Sequence, residues 1–193
     1  SFLTQKMLLM AIYERWNEVK VSDAAKRIGV STKSASRCFD EMEYLNIDVL
    51  GMKGKSRVIN IPNDRKQVWQ QIENVLRNPV IRRFVLREDM KLEKKAGISA
   101  LCEYSLLSDN VYPTYAVTKK ELKDSAVKVE KQVSELEEIG CVVLELGYFI
   151  DFLGKGFQDP LSVVLSLTGE EQEEERVDIS INEMLEEYVW SKD

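Results

Sequence analysis

Between Val21 and Leu45, small residues stand where two helices would have to cross at close range. Ala24, Ala25 and Ile28 repeat at helical spacing and stop at Gly29, which enters the left-handed region without steric cost and is followed by Val30 as a plug. Ser22 or Asp23 is the expected cap of this helix, which runs through Arg27. Ser31 is a favourable N-cap for the next helix, whose apolar stripe is Ala35, Cys38, Phe39, Met42 and Leu45. A bulky or charged side chain at Ala25 or Ala35 would hold the two helices apart. Upstream, Leu3, Met7, Leu8, Met10, Ala11 and Tyr13 predict a helix over Phe2–Trp16. Together these pieces predict a helix-turn-helix. Its second helix turns Ser31, Thr32, Lys33, Ser34, Ser36 and Arg37 outward, offering hydroxyl and cationic donors to phosphates and base edges.

After Asn46 the period changes. Ile47 and Val49, then Val58, Ile59 and Ile61, flank the stretch Gly51–Arg57, the pattern of a β-hairpin with a glycine at its tip. Lys53, Lys55 and Arg57 give that tip three cations, which fits either a solvated turn or a wing lying on a nucleic-acid backbone or in a minor groove. Gly54-Lys55-Ser56 matches the end of a phosphate-binding loop, but Val49 stands where that loop requires its first glycine. Residues 1–95 carry 19 basic and 12 acidic side chains and residues 96–193 carry 8 and 21, so a net charge of −6 conceals halves of +7 and −13. A basic first half suits nucleic acid, and an acidic second half is repelled by phosphate.

The run Val21-Ser22-Asp23-Ala24-Ala25-Lys26-Arg27-Ile28-Gly29-Val30-Ser31, followed by Ala35, Phe39, Leu45 and the basic hairpin, resembles the winged helix-turn-helix of MarR-like bacterial transcriptional regulators over residues 3–62. The resemblance implies a cytoplasmic protein that binds double-stranded DNA as a homodimer. It places Thr32, Lys33, Ser34 and Arg37 toward the major groove and Lys53, Lys55 and Arg57 on the wing. The same helix-turn-helix also stands at the front of some assembly proteins that do not bind DNA.

Beyond the hairpin, Val68, Trp69, Ile72, Val75 and Leu76 predict a helix over Asp64–Leu76 that ends before Pro79. Ile81–Leu86 reads as a strand interrupted by Arg82 and Arg83 and followed by Arg87. From Ala96, a helix marked by Ile98, Leu101, Cys102, Ser105 and Leu106 precedes strands at Thr114–Val117 and Gly140–Ile150. Asp159-Pro160 starts a short helix ending near Leu167. Thr168-x-x-Glu171 is a capping box for a final acidic helix with inner residues Val177, Ile181, Met184, Leu185 and Tyr188. The expected fold class is α+β. Residues 1–62 form the winged helix-turn-helix, 63–95 a linker helix and strand, and 96–193 a smaller mixed α+β domain that binds an effector or a partner. Ala96–Leu101, Tyr112–Ala116, Asp159–Ser162, Glu183–Glu187 and Trp190 are similar, as a set, to the companion domain of AbiEi-type antitoxins and regulators.

The chain has no histidine, which closes Ser-His-Asp triads, Cys-His dyads and imidazole metal sites to it. Cys38, Cys102 and Cys141 lie far apart, as buried thiols in a reducing compartment do. The longest apolar runs fall well short of the roughly 18 residues of a membrane helix, and no secretory leader is visible, so no membrane partner is expected. Glu145, Asp151 and Lys155 resemble a carboxylate nuclease site only with the wrong spacing, and Glu170–Glu175 reads as a solvated helix start. Tyr104, Tyr112, Tyr115, Tyr148, Phe149 and Phe152 suit either a core or an effector pocket. No cofactor, metal or enzymatic activity is expected. The expected function is a DNA-binding transcriptional regulator. The alternative is an antitoxin-like module that neutralises a partner enzyme with its acidic half and represses its own promoter.

Overall fold

The computed structural model describes residues 1–124 and 138–191, and it opens on a capped helix: the Ser1 hydroxyl accepts the Thr4 N–H, and α1 runs over Phe2–Glu14. Its Met7, Leu8, Leu9, Ala11 and Ile12 are buried, and the chain leaves the helix through Arg15 at φ 52° to bury Trp16. Strand β1 (Val19–Lys20) leads directly into α2 (Val21–Ile28). This helix begins earlier than expected: Lys20 is its N-cap with no side-chain bond, and Ser22 and Asp23 lie inside it, exposed. Gly29 ends it at φ 70°, where its own N–H and that of Val30 close back on the last carbonyls, Val30 reaching Ala25 at 2.9 Å. Two residues later α3 (Thr32–Tyr44) starts on Ser31. Ala24, Ala25 and Ala35 are buried where α2 meets α3, so the small side chains do permit the close approach.

Strands β2 (Leu50–Lys53) and β3 (Ser56–Ile59) form a hairpin, paired Lys53 with Ser56 across a two-residue Gly54–Lys55 loop with Gly54 at φ 62°. β1 adds to the other edge of β3, giving a three-stranded antiparallel sheet of order β1-β3-β2. Ile47 and Val49 lie outside the strands but are buried with Val58 and Ile59. Asp64 caps α4 (Arg65–Ile72) by accepting the Gln67 N–H at 3.0 Å, and one 3₁₀ turn, Glu73–Val75, follows. Buried Arg65 donates to the Ile12 carbonyl at 3.0 Å, which ties α4 to the end of α1.

The chain divides into two compact units, Ser1–Arg77 and Asn78–Asp193. The expected linker of 63–95 is therefore split. α4 belongs with the first unit because Val68, Trp69 and Ile72 are buried there, and the strand at 80–86 belongs with the second because it pairs in that unit's sheet. The second unit, at 116 residues against 77, is the larger one, not the smaller.

In the second unit β4 (Val80–Leu86) pairs antiparallel with β6 (Cys141–Leu146), and β6 pairs parallel with β5 (Thr114–Thr118). All six residues of β6 are buried, with Cys141 and Val143 on one face and Val142, Leu144 and Leu146 on the other. Glu145 shares the first face, and its buried carboxylate is answered by Arg82 of β4 at 2.5 Å. Helix α5 (Gly97–Tyr104) packs on β5, and α6 (Lys119–Asp124) follows that strand. Helix α7 (Pro160–Ser166) starts on Asp159, which accepts the Ser162 N–H at 3.1 Å. The Thr168–Glu171 capping box is present, but it opens only the short α8 (Gly169–Glu173). Glu174 is extended, and α9 (Glu175–Leu185) begins separately before a π-helical turn at Glu186–Trp190. α5 ends at Tyr104, so Leu106 is not on its inner stripe and is 95% exposed. Among the described residues the protein is thus mixed α+β with two small sheets, and no helix is long and apolar enough to cross a membrane.

The aromatic residues serve mainly as core: Tyr104, Tyr115 and Tyr148 are buried, the last bonding Ser162 at 2.8 Å. Tyr115 donates its hydroxyl to Asp89 at 2.6 Å, and the Lys91 N–H adds a second bond at 2.9 Å. The tyrosine bond is the main reason the Asp89 carboxyl is held below the usual aspartate range. A folded value below the unfolded one stabilises the protein at pH above about 3.9, and that contribution is lost as the pH falls through the folded value. Tyr115→Phe is expected to return the Asp89 pKa upward. An NMR titration of the Asp89 carboxyl that shows no upward movement in the variant would refute the assignment.

Candidate nucleic-acid interface

α3 presents two faces. Ala35, Cys38, Phe39 and Met42 are buried against the unit, while Thr32, Lys33 and Arg37 are exposed on the opposite side of its first two turns. The helix start is fixed by Ser31, whose hydroxyl accepts the Ser34 N–H at 3.1 Å and donates to the Ser34 hydroxyl at 3.0 Å. Ser31 and Ser34 therefore use part of their bonding capacity within the cap. Among the described residues Lys33, Arg37 and Lys55 form no ion pair, and all three extend into solvent. The N-terminal end of an α-helix also carries a partial positive charge, so this turn favours an anion.

The hairpin contributes unequally. Lys55 occupies the loop itself and is exposed. Lys53 meets Glu18 at 2.6 Å, but both side chains are about half exposed, so the pair is screened and a phosphate can displace the carboxylate at little cost. Arg57, expected on the wing, lies on β3 and is engaged by α3. Its Nη1 donates to Asp40 at 2.6 Å and lies 3.5 Å from Glu43, its Nη2 donates to the Ser36 hydroxyl at 3.1 Å, and its guanidinium sits 5.7 Å from the Phe39 ring centre. Ser36 is half-buried and occupied by the same guanidinium. Of the nine sequence-derived residues, Thr32, Lys33, Arg37 and Lys55 are thus the most accessible, Ser31, Ser34 and Lys53 are engaged weakly or locally, and Ser36 and Arg57 face each other.

Sequence reasoning did not single out Lys20 and Lys26, which are exposed on β1 and α2, nor Asp40 and Glu43 as partners of Arg57. Composition signals the first pair. The second arises only when α3 and the hairpin meet. Residues 1–77 carry 13 basic and 9 acidic side chains, so the unit bearing this surface is positive while the remainder carries −10.

Other candidate chemistry disperses. Glu145 is paired with Arg82, Asp151 accepts the Gly156 N–H at 3.0 Å within a turn, and Lys155 is exposed. Among the described residues, no three cysteine or carboxylate side chains come together as metal ligands. Burial raises the thiol pKa of Cys38 and Cys141, and burial followed by Asp109 and Glu103 pushes Cys102 up to about 11, so all three stay protonated and weakly nucleophilic. A scan against protein-family models finds no match, and searches of curated proteins and of solved structures find none either.

Proposed function

We propose that the protein is a bacterial-type DNA-binding transcriptional regulator whose first unit is a winged helix-turn-helix. α3 lies in the major groove by its N-terminal half, and the Gly54 hairpin is the wing on the adjacent backbone. The observation that carries this reading is the exposed Thr32-Lys33-Arg37 face of a helix whose other side is buried in its own unit, beside a hairpin with Lys55 at its tip. The positive charge of residues 1–77 against the strongly negative remainder adds support, since phosphate attracts the first and repels the second. The second unit then senses an effector or partner, and the protein binds without catalysing a reaction. Dimerisation in the cytoplasm and MarR-like ancestry of the first unit belong to the same proposal.

The test is the affinity of the purified protein for its own upstream duplex and for an unrelated duplex across a salt series. Affinity is expected to favour the upstream duplex and to fall as salt rises. Lys33→Ala and Arg37→Ala are each expected to weaken binding, with the slope of log K against log salt reduced by about 0.9 for every phosphate that is no longer neutralised. Unchanged affinity in both variants would overturn the reading.

A second reading, an antitoxin-like interaction module, is favoured by a groove of about 690 Å³ in the second unit. Glu103, Glu183, Glu186 and Glu187 line it with Tyr104, Tyr188 and the exposed Leu106, a surface suited to a basic, partly apolar partner. Co-expression with the product of a neighbouring gene tests it. Co-elution that is abolished by Glu183→Lys supports this role, and independent elution counts against it.

A further inference from the structure

Two carboxylates on a nucleic-acid-binding helix need a physical reason, because each repels phosphate. Of the three acidic residues on α3, Glu41 is half-buried and held by the Ser1 amino group and the Thr4 hydroxyl, whereas Asp40 and Glu43 are exposed, and together with Ser36 and Phe39 they form an i, i+3, i+4, i+7 stripe. Arg57 meets all four members of that stripe: hydrogen bonds to Asp40 at 2.6 Å and Ser36 at 3.1 Å, Glu43 at 3.5 Å, and the Phe39 ring beneath the guanidinium. A planar guanidinium suits such a site, since its fork reaches a carboxylate and a hydroxyl at once while its face stacks on a ring. Its own side chain is only 28% exposed. Arg57 stands opposite Met52 in the hairpin register, one pair before Lys53 and Ser56 close the loop that carries Lys55. The side chain that grips α3 is therefore close to the hairpin tip.

We propose that Arg57 is a positioning residue. It locks the hairpin onto α3 so that Lys55 and Lys53 are held at a fixed offset from Lys33 and Arg37, and the cations act as one surface on the duplex. This rests on the nucleic-acid reading above and adds to it that Asp40, an anion, strengthens binding. The alternative role for Arg57, a direct phosphate contact, makes the opposite statement about Asp40: the carboxylate would then compete with DNA for the guanidinium, and removing it would tighten binding.

The experiment compares the wild type with Arg57→Ala, Asp40→Asn, Arg57→Lys and the Asp40→Asn/Arg57→Ala double variant. The probe is a duplex enriched by the wild type from a random-sequence pool, titrated across a salt series, with hydrogen exchange of the Gly51 and Lys53 amides, which face β3 in the hairpin ladder, measured without DNA. Arg57→Ala and Asp40→Asn are each expected to weaken binding on the order of 3- to 10-fold, the scale of one coupled interaction. The salt slope is expected to stay at the wild-type value, because every phosphate contact is retained. The double variant is expected to bind no worse than Arg57→Ala alone, and Arg57→Lys to recover part of the affinity. Hairpin exchange is expected to speed up in both single variants. A salt slope lowered by about 0.9 in Arg57→Ala, together with tighter binding by Asp40→Asn, would overturn the proposal in favour of a phosphate contact. Unchanged affinity in both variants would overturn it as well. A wild type that binds no duplex fails the nucleic-acid reading instead, and the exchange comparison then decides by itself whether Arg57 fixes the hairpin.

Discussion

Phe39→Ala is expected to remove a large share of the stability of the first unit. The ring is fully buried at the centre of α3, the helix that packs against both α1 and α2. Truncating a buried phenylalanine costs about 3–5 kcal/mol, part from the forfeited transfer energy and part from the cavity left behind. A small domain holds only about 5–15 kcal/mol in total. The variant also removes the surface on which the Arg57 guanidinium rests. Native-state hydrogen exchange is the measurement: protection of the α3 amides is expected to fall by two to three orders of magnitude or more (1.4 kcal/mol being about tenfold). Protection within about tenfold of the wild type would mean that this core is not organised around Phe39.

The second unit has a polar counterpart in Gln158, which is 1% exposed. Its Oε1 accepts the Gly97 N–H at 3.0 Å, and its Nε2 donates to the Ser166 hydroxyl at 2.8 Å, with the Ser162 carbonyl at 3.4 Å. The Gly97 N–H is one of the donors at the start of α5 that no helical carbonyl can satisfy, and the N-cap there, Ala96, has no side-chain acceptor to offer. Gln158 therefore caps a helix from a distant part of the chain. Its backbone carbonyl accepts the Tyr104 hydroxyl from the far end of the same helix at 2.9 Å. Gln158→Leu keeps the volume but leaves a buried donor unpaired, a cost of about 1–3 kcal/mol. Gln158→Glu, which retains an acceptor for Gly97, separates the cap from the bonds to α7. Amide protection of α5 is expected to fall about 5- to 150-fold in the leucine variant, as that energy range implies. If protection there is unaffected, α5 does not depend on this cap.

What the sequence revealed depended on how local its causes were. Gly29 at φ 70°, Ser31 as a cap and the Gly54 loop are set by the residues themselves and their immediate neighbours, so periodicity and turn chemistry located α2, α3 and the hairpin. Asp159-Pro160 marked α7 for the same reason. Local signals also misled where they competed. Ser22 and Asp23 are good caps, yet β1 delivers the chain into the helix before it reaches them. Thr168 and Glu171 form their box, but the extended Glu174 divides the expected final helix in two. The parallel pairing of β5 with β6 was not legible, because strand neighbours depend on the whole sheet and a run of Val and Leu does not specify its partner. The candidate site follows the same rule. Lys33, Arg37 and Lys55 were found as exposed cations from spacing alone, whereas the grip of Ser36, Asp40 and Glu43 on Arg57 exists only after α3 and the hairpin have come together.

The strand order β4-β6-β5 also sets a sequence of events during synthesis. Domains fold from the N-terminus as they emerge from the ribosome, and local contacts form before distant ones. The first unit is complete once Arg77 is out. β4 and β5 are made next, but they do not pair with each other, and the strand that joins them is the last of the three to be translated. Among the described residues, until Leu146 emerges β5 has only the Lys94–Ala96 segment extended beside it and β4 has no strand partner in its sheet. That interval is when the nascent chain is most open to pairing with a foreign strand. Arg82 and Arg83 place two adjacent charges on β4, one on each side of the strand, and so protect it while it waits for its partner.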